Sequence, residues 1–334
     1  MSCARHSFCF NIHDLARGRV RGDASLLEPV ARELTHYRAA APGGELDLEV
    51  SLERLQDSRP LESGPVGWEG KHLAARWRAN MSAAGAVPLR LAFQGNGFSR
   101  FIVSKWIVEP AARIVMEQKG AAMVHAAALS DGERAVLVAG PGGAGKTTWV
   151  LNWLSAGHPY MSDDFTLIVN AQALSYVTPM RLGLKNLLQG RTLAGLSAAA
   201  KAEIALRTLA RRLSLNRLKL YYKALPETAI PGVEYCSRAE LAGAIWIERG
   251  AQGKSGGITP EEMAALMAAV DRAEMHGFGK PGLLGAAHRS TLLSALQGKP
   301  CVSLPGPALP PAGAAASISA LMDWASSPSA KLSW

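Results

Sequence analysis

The eight residues Gly140-Pro141-Gly142-Gly143-Ala144-Gly145-Lys146-Thr147 constrain the fold more than any other stretch of this chain. Four glycines and a proline in so short a run favour neither a helix nor a strand, yet the run lies between two segments that do form regular structure. Before it comes the apolar strand candidate Ala135–Ala139, and after it the helical stretch Thr148–Ala156. The spacing G-x-x-x-x-G-K-T in a strand–loop–helix setting predicts a backbone curled so that successive N–H groups face one anion at a helix N-terminus. It predicts ATP with Mg²⁺ as the ligand. Residues Gly140 to Thr148 would line it, Lys146 would neutralise the β and γ phosphates, and the Thr147 hydroxyl would join the Mg²⁺ shell.

The remainder of the chain reads as α/β with a mixed sheet. Ala122–Leu129 and Ala135–Ala139 flank the turn Ser130-Asp131-Gly132-Glu133 and predict a hairpin of buried strands. A helix is predicted over Phe101–Gln118, with Pro110 near its start and Gly120 beyond its end. Helices over Lys201–Tyr222 and Glu261–Arg272 alternate with strand candidates Ala244–Glu248 and Cys301–Leu304. Residues 1–100 hold short β-rich stretches (Phe8–Ile12, Leu46–Leu52, Ala75–Ala79, Leu89–Phe93) without a catalytic motif. Three regions are therefore expected: a β-rich N-terminal region over 1–100, the core over 101–310, and an irregular tail with a short helix, Ser317–Trp324, over 311–334.

The helix after the glycine loop should stop at Gly157, with Pro159 preventing its continuation. A strand is predicted to follow at once, opening on Ser162-Asp163-Asp164-Phe165 and placing two carboxylates 17 residues (163 − 146) beyond Lys146. Adjacent carboxylates beside a triphosphate can divide the work, one holding Mg²⁺ and the other accepting a proton from an attacking hydroxyl. The competing reading is a pair of surface acids in a turn.

The order of these elements resembles the HPr kinase/phosphorylase superfamily and, more distantly, the phosphoenolpyruvate carboxykinase nucleotide fold. The resemblance rests on His125 in Met123-Val124-His125-Ala126-Ala127-Ala128, then the glycine loop, then Gly157-His158, then Asp163-Asp164. It covers Gly120 to Asn170, more weakly to Gly306, and none of residues 1–100. It implies an ATP-dependent kinase acting on a hydroxyl, with His125, Lys146, Asp163 and Asp164 catalytic and with Thr147 and Asp164 on the metal. Either Asp could be the base. The resemblance also allows a homo-oligomer. The family's later Glu-bearing signature is absent: the corresponding region reads Pro179-Met180-Arg181-Leu182-Gly183-Leu184-Lys185, leaving Arg181 and Lys185 as candidate phosphate or acceptor contacts. Phe278-Gly279-Lys280-Pro281-Gly282 does not reproduce the family's basic loop either. An alternative is an ATP-dependent switch that hydrolyses or holds nucleotide without an acceptor.

The net charge of +9 is concentrated: Arg181–Lys223 holds ten basic residues against Glu203 alone, and ten minus one equals the whole excess. Such a block attracts an anionic acceptor, whether a small protein, a peptide or a metabolite. No nucleic-acid-binding motif accompanies it, so nucleic acid is not the expected partner. The bland alternative has Leu206, Leu209, Leu213 and Leu220 packed inward and the basic residues on a solvated face. Cys3, Cys9, Cys236 and Cys301 lack Cys-x-x-Cys spacing and read as buried thiols, and the eight histidines form no zinc-ligand pattern. No signal-peptide core opens the chain and no apolar run spans a bilayer, so a cytoplasmic protein without a membrane partner is expected.

Overall fold

The computed structural model describes residues 6–40, 44–55, 61, 64–83, 85–188, 193–214, 221–248, 256–274, 286–305 and 314–326. Cys3, Arg191, Arg217, Lys219, Leu220, Phe278–Gly282 and most of the tail expected after Pro305 lie outside them. The fold is mixed α/β and divides into two compact units, residues 1–123 with 271–291, and residues 124–270 with 292–334. The division falls at 123/124, where the sequence suggested a boundary near 100, because the helix after residue 100 belongs with the N-terminal strands.

In the first unit the strands are β1 (His6–Ile12), β2 (Ala16–Gly22), β3 (Arg38–Ala39), β4 (Leu48–Arg54), β5 (Val66–His72), β6 (Ala75–Met81) and β7 (Leu89–Gly95). They form one sheet in the order β3-β1-β2-β4-β7-β6-β5. β2–β4 and β4–β7 are parallel, and the remaining pairs are antiparallel. Alternation along β4, β6 and β2 buries one side chain in two, as expected where only one face meets a core. Helix α1 (Ala24–Glu33) starts where the Asp23 carboxylate accepts from the Ser25 N–H. Helix α2 (Glu109–Gln118) carries Pro110 in its first turn and gives way to Gly120 at φ +78. The single helix predicted from Phe101 is a 3₁₀ turn (Gly97–Phe101), a π turn (Ser104–Val108) and then α2.

A buried polar knot sits in this unit. His288 lies between two carboxylates, its Nε2 2.9 Å from Asp271 Oδ2 and its Nδ1 3.1 Å from Glu117 Oε1. Arg113 reaches Asp271 Oδ1 at 3.4 Å and donates to the Met123 carbonyl. Burial opposes the imidazolium, but the bonds to Asp271 and Glu117 outweigh it and raise the His288 pKa. Two carboxylates are thus matched by two cations, as a buried cluster requires.

The second unit contains β8 (Ala122–Val124), which enters it from the boundary, β9 (Ala126–Ser130), β10 (Arg134–Ala139), α3 (Lys146–Ser155), β11 (Tyr160–Ser162), β12 (Thr166–Val169), β13 (Gln172–Leu174), β14 (Met180–Leu182), α4 (Leu184–Leu188), α5 (Ala198–Leu213), β15 (Tyr222–Ala224), α6 (Pro226–Ala229), β16 (Arg238–Ile247) and β17 (Gly256–Gly257). Helix α7 (Pro260–Glu274) belongs to this unit up to Val270 and helix α8 (Ala286–Leu296) from Leu292, their remaining residues counting with the first unit, and strand β18 (Cys301–Leu304) and helix α9 (Ile318–Ser326) follow. The main sheet runs β11-β9-β10-β16-β13-β12-β8, with β18 also beside β16 and β17 beside β18. The predicted hairpin is β9–β10. β10 and β18 both run parallel to β16, a mixed arrangement whose central strands are buried apolar runs. Trp149, Trp153 and Tyr160 anchor the core between α3 and the sheet.

Two expectations in the basic segment are corrected. The helix predicted to reach Tyr222 ends at Leu213, and Tyr222 belongs to β15, paired with Leu182 of β14. The leucines also face outward: Leu206, Leu209 and Leu213 are 66%, 55% and 75% exposed, while Ala200, Ile204 and Thr208 are buried. The buried ridge is the i, i+4, i+8 row of smaller residues, and Thr208 Oγ1 accepts from the Leu184 N–H at 3.1 Å, holding that row against the start of α4. Cys236 and Cys301 are buried thiols, whereas Cys9 is only half-buried.

Candidate functional site

The glycine loop leaves the C-terminal end of β10 and enters α3 without a side-chain cap, with Gly145 in the N-cap position at φ +111. Gly143 is also left-handed, at φ +84. A side chain at either would be strained, which is why the sequence is glycine there. At Gly140 the reason is space: a Cβ would stand 2.5 Å from the Ile247 carbonyl oxygen of β16. A turn closed by Ala144 N to Pro141 O (3.0 Å) folds the loop back over the helix start. The first-turn N–H groups of α3, including those of Lys146, Thr147 and Thr148, have no partner within the helix. Lys146 is buried, and its Nζ donates to the Gly140 carbonyl at 2.8 Å, which holds the ammonium over the loop.

The strand expected to open on the Asp pair is corrected. Asp163 and Asp164 follow the end of β11 and occupy the bend before β12. The bend is tied down on both sides: Ser162 Oγ accepts from the Ala128 N–H at 3.1 Å and lies 2.6 Å from Thr166 Oγ1, which donates to the Ala126 carbonyl at 2.8 Å. Two hydroxyls four residues apart thus fix the carboxylates against β9. These positioning residues escaped the sequence reading, and their signal is the Ser and Thr bracketing the Asp pair.

The two carboxylates differ. Asp163 is buried and accepts a hydrogen bond from the Thr147 side chain. Desolvation first, and the Asp164 charge second, push its pKa up to about 6, against the pull of Thr147, Lys146 and Arg181. Its Oδ1 has no hydrogen-bond partner among the described residues. Asp164 is less buried and lies 3.2 Å from Arg181 Nη2 through Oδ2 and 3.7 Å from His125 Nδ1 through Oδ1. The first is an ion pair; the second is too long for a hydrogen bond.

His125 occupies the break between β8 and β9 and is buried, its ring edge-on to Phe165 at 4.9 Å between centroids. Arg181 is placed by the β14–β15 ribbon, where it lies opposite Lys223. Thus His125, Lys146, Thr147, Asp163, Asp164 and Arg181 are brought together. Lys185 is exposed on α4. His158 of the Gly157-His158 pair stacks on Trp153 at 3.9 Å, and its Nε2 lies 2.7 Å from the Ala315 carbonyl, so it braces the end of α3.

Chemically, the arrangement offers an anion cradle with a buried ammonium, a hydroxyl, one carboxylate near neutrality and one paired with arginine. Two carboxylates and a hydroxyl are hard oxygen donors that suit Mg²⁺ better than zinc. Among the described residues no group of three or more His, Cys, Asp or Glu side chains could hold a metal ion alone, so such a site would draw on ligand oxygens and water. No helix of the described residues is long and apolar enough to cross a membrane. No known protein-family profile matches the chain, and no curated protein matches it significantly.

Proposed function

We propose that this chain is an Mg²⁺-dependent phosphotransferase that moves the γ-phosphoryl group of ATP to a hydroxyl of a protein, peptide or small-molecule acceptor, on a P-loop core of the HPr kinase/phosphoenolpyruvate carboxykinase type. The observation that carries the reading is Asp163: a buried carboxylate bonded to the Thr147 side chain, with a pKa of about 6 and with Lys146 and Arg181 drawing it down. A group poised near neutrality beside an anion cradle is suited to accept a proton from a nucleophile.

Bound ATP and Mg²⁺ would supply the transferable group and neutralise its charge. The chain's own residues divide the remaining work. The loop backbone and the Lys146 ammonium orient the phosphates, and Thr147 with Asp164 provides oxygen donors for the ion. Asp163 takes the acceptor's hydroxyl proton. Arg181 pairs with Asp164 and sets the direction of its carboxylate, and the His125 ring lies beside it, where bound phosphate would come within its reach. Positioning and charge stabilisation of this kind supply nearly all of the catalysis in phosphoryl transfer.

The test is incubation of the pure protein with γ-labelled ATP and a lysate from its source, beside Lys146→Ala. Label on one peptide or metabolite that falls by roughly two to three orders of magnitude in the variant is the expected result. Release of free phosphate with no labelled acceptor would replace the kinase reading by an ATPase switch. Equal labelling by a well-folded Lys146→Ala would remove the loop from the mechanism.

A further inference from the structure

The ribbon β14–β15 has one face in the core and one turned away from it. Met180, Leu182 and Ala224 are buried in the apolar core of the second unit, and Tyr222 packs against it. Side chains alternate along a strand, so Arg181 and Lys223 emerge on the other face, and the register sets them directly opposite one another. Cross-strand partners of this kind have Cβ atoms about 5 Å apart, where two like charges oppose each other. Arg181 is also carried to Asp164, at 3.2 Å. The glycine loop thus meets the carboxylate pair at Asp163, through Thr147, and the two-cation face of the ribbon meets it at Asp164.

Other cations of the same segment have structural work. Arg207 is paired with Glu203, donates to the Tyr221 carbonyl at 2.9 Å and stands 5.9 Å from the centre of the Tyr222 ring. Arg211 stands over the Tyr221 ring at 4.7 Å. Both brace the chain where it enters β15, one residue before Lys223. Arg212 is exposed on α5. In the sequence the nearest cation to follow Arg181 is Lys185; in the fold the register gives it Lys223, 42 residues on (223 − 181).

We infer that Arg181 and Lys223 form the anion-binding half of the acceptor site, and that the acceptor carries a carboxylate or phosphate group beside the hydroxyl that reacts. The inference rests on the phosphotransferase reading, which puts that hydroxyl against Asp163. A guanidinium presents five N–H donors in a planar fork and an ammonium presents three, a combination suited to a planar or tetrahedral oxyanion. Two cations are also what a second anion requires next to a triphosphate, since the phosphates would otherwise repel it. Lys223 is therefore a specificity-determining residue, and the charge of the whole basic segment is not.

The experiment titrates inorganic phosphate, and separately acetate, into the full chain and follows the heat of binding. Each titration is run with the glycine loop filled by adenylyl imidodiphosphate and Mg²⁺, and again on Lys146→Ala without nucleotide. Saturable binding of at least one anion in both settings, weaker as salt rises, is the expected result. The tighter of the two tells which oxyanion the acceptor carries. In either setting Arg181→Gln and Lys223→Gln should each weaken binding about tenfold or more, Lys223→Arg by no more than about threefold, and Arg212→Gln not at all. Lys223→Gln decides alone if Arg181→Gln does not fold. A chain that binds neither anion, binding unchanged in the folded Arg181→Gln and Lys223→Gln proteins, or an equal loss in Arg212→Gln overturns the inference. Failure of the nucleotide itself to bind removes the phosphotransferase reading instead, and the Lys146→Ala titrations still show whether the ribbon holds an anion.

Discussion

Replacing Asp163 by Asn should make the free protein more stable above neutral pH, although it removes a residue from the proposed machinery. The carboxyl's pKa is raised from 3.8 to about 6 because burial and Asp164 both oppose its charge. Between those values the folded state holds a proton that the unfolded state has released, so stability falls as pH rises through this window. At about 1.36 kcal/mol per pH unit, the full cost is about 3 kcal/mol, incurred above pH 6 and absent below pH 4. Asn keeps the shape and an oxygen that accepts from Thr147, and it carries no charge. Urea unfolding of wild type and Asp163→Asn, without nucleotide, should therefore give matching midpoints at acid pH. The variant's advantage should open between about pH 4 and 6 and reach up to about 3 kcal/mol by pH 8. A pH-independent difference, or a variant less stable at pH 8 than at pH 4 relative to wild type, would refute the claim that Asp163 is held charged against its environment.

Asp164→Asn should raise the Mg²⁺ concentration needed for half-maximal phosphoryl transfer, whereas Asp163→Asn should lower the chemical rate at saturating Mg²⁺; indistinguishable, near-normal kinetics in both would end the division of labour. The same Asp164→Asn change should cost no more than about 1 kcal/mol in unfolding experiments, because Arg181 is 37% exposed and can return to water. His288→Gln should destabilise the protein by about 3–5 kcal/mol, since it removes the imidazole that lies against both buried carboxylates, Asp271 and Glu117. The raised His288 pKa makes that contribution complete below about pH 6.5 and progressively lost as pH climbs through the folded-state value, so the gap between wild type and variant should narrow in alkali.

Where a residue type had one physical reason to be at its position, the sequence was legible. Cys301–Leu304 forms a strand with the bounds expected, because a short apolar run between turn residues has few other places to go. Gly157 stops α3 at φ +90, the conformation for which glycine is suited. The alternative that packs the α5 leucines inward fails because leucine spacing fixes a helical face without saying which face is inward. Ala200, Ile204 and Thr208 form an equally regular row, and the smaller one packs closer. The first unit was also thinner on the page than in the structure. β2 alternates Arg with Ala, Gly and Val, a pattern whose apolar half is too small to stand out, and β5 is similarly polar.

The candidate site divides along the same line. Gly140 to Thr147 announces itself, since steric demands at Gly140, Gly143 and Gly145 leave little freedom in the sequence. The Asp pair announced its presence but not its setting: the apolar run Phe165–Ile168 suggested a strand beginning at Ser162, while Ser162 and Thr166 bond to each other and to β9 and hold the intervening residues in a bend. That bend is what makes the neighbours unequal. It turns one carboxylate inward to Thr147 and leaves the other paired with Arg181, so two chemically identical side chains acquire different surroundings. Sequence carries the identity of such a pair, but the asymmetry between its members arises only from the contacts of the folded chain, some made by residues as distant as Ala126 and Arg181.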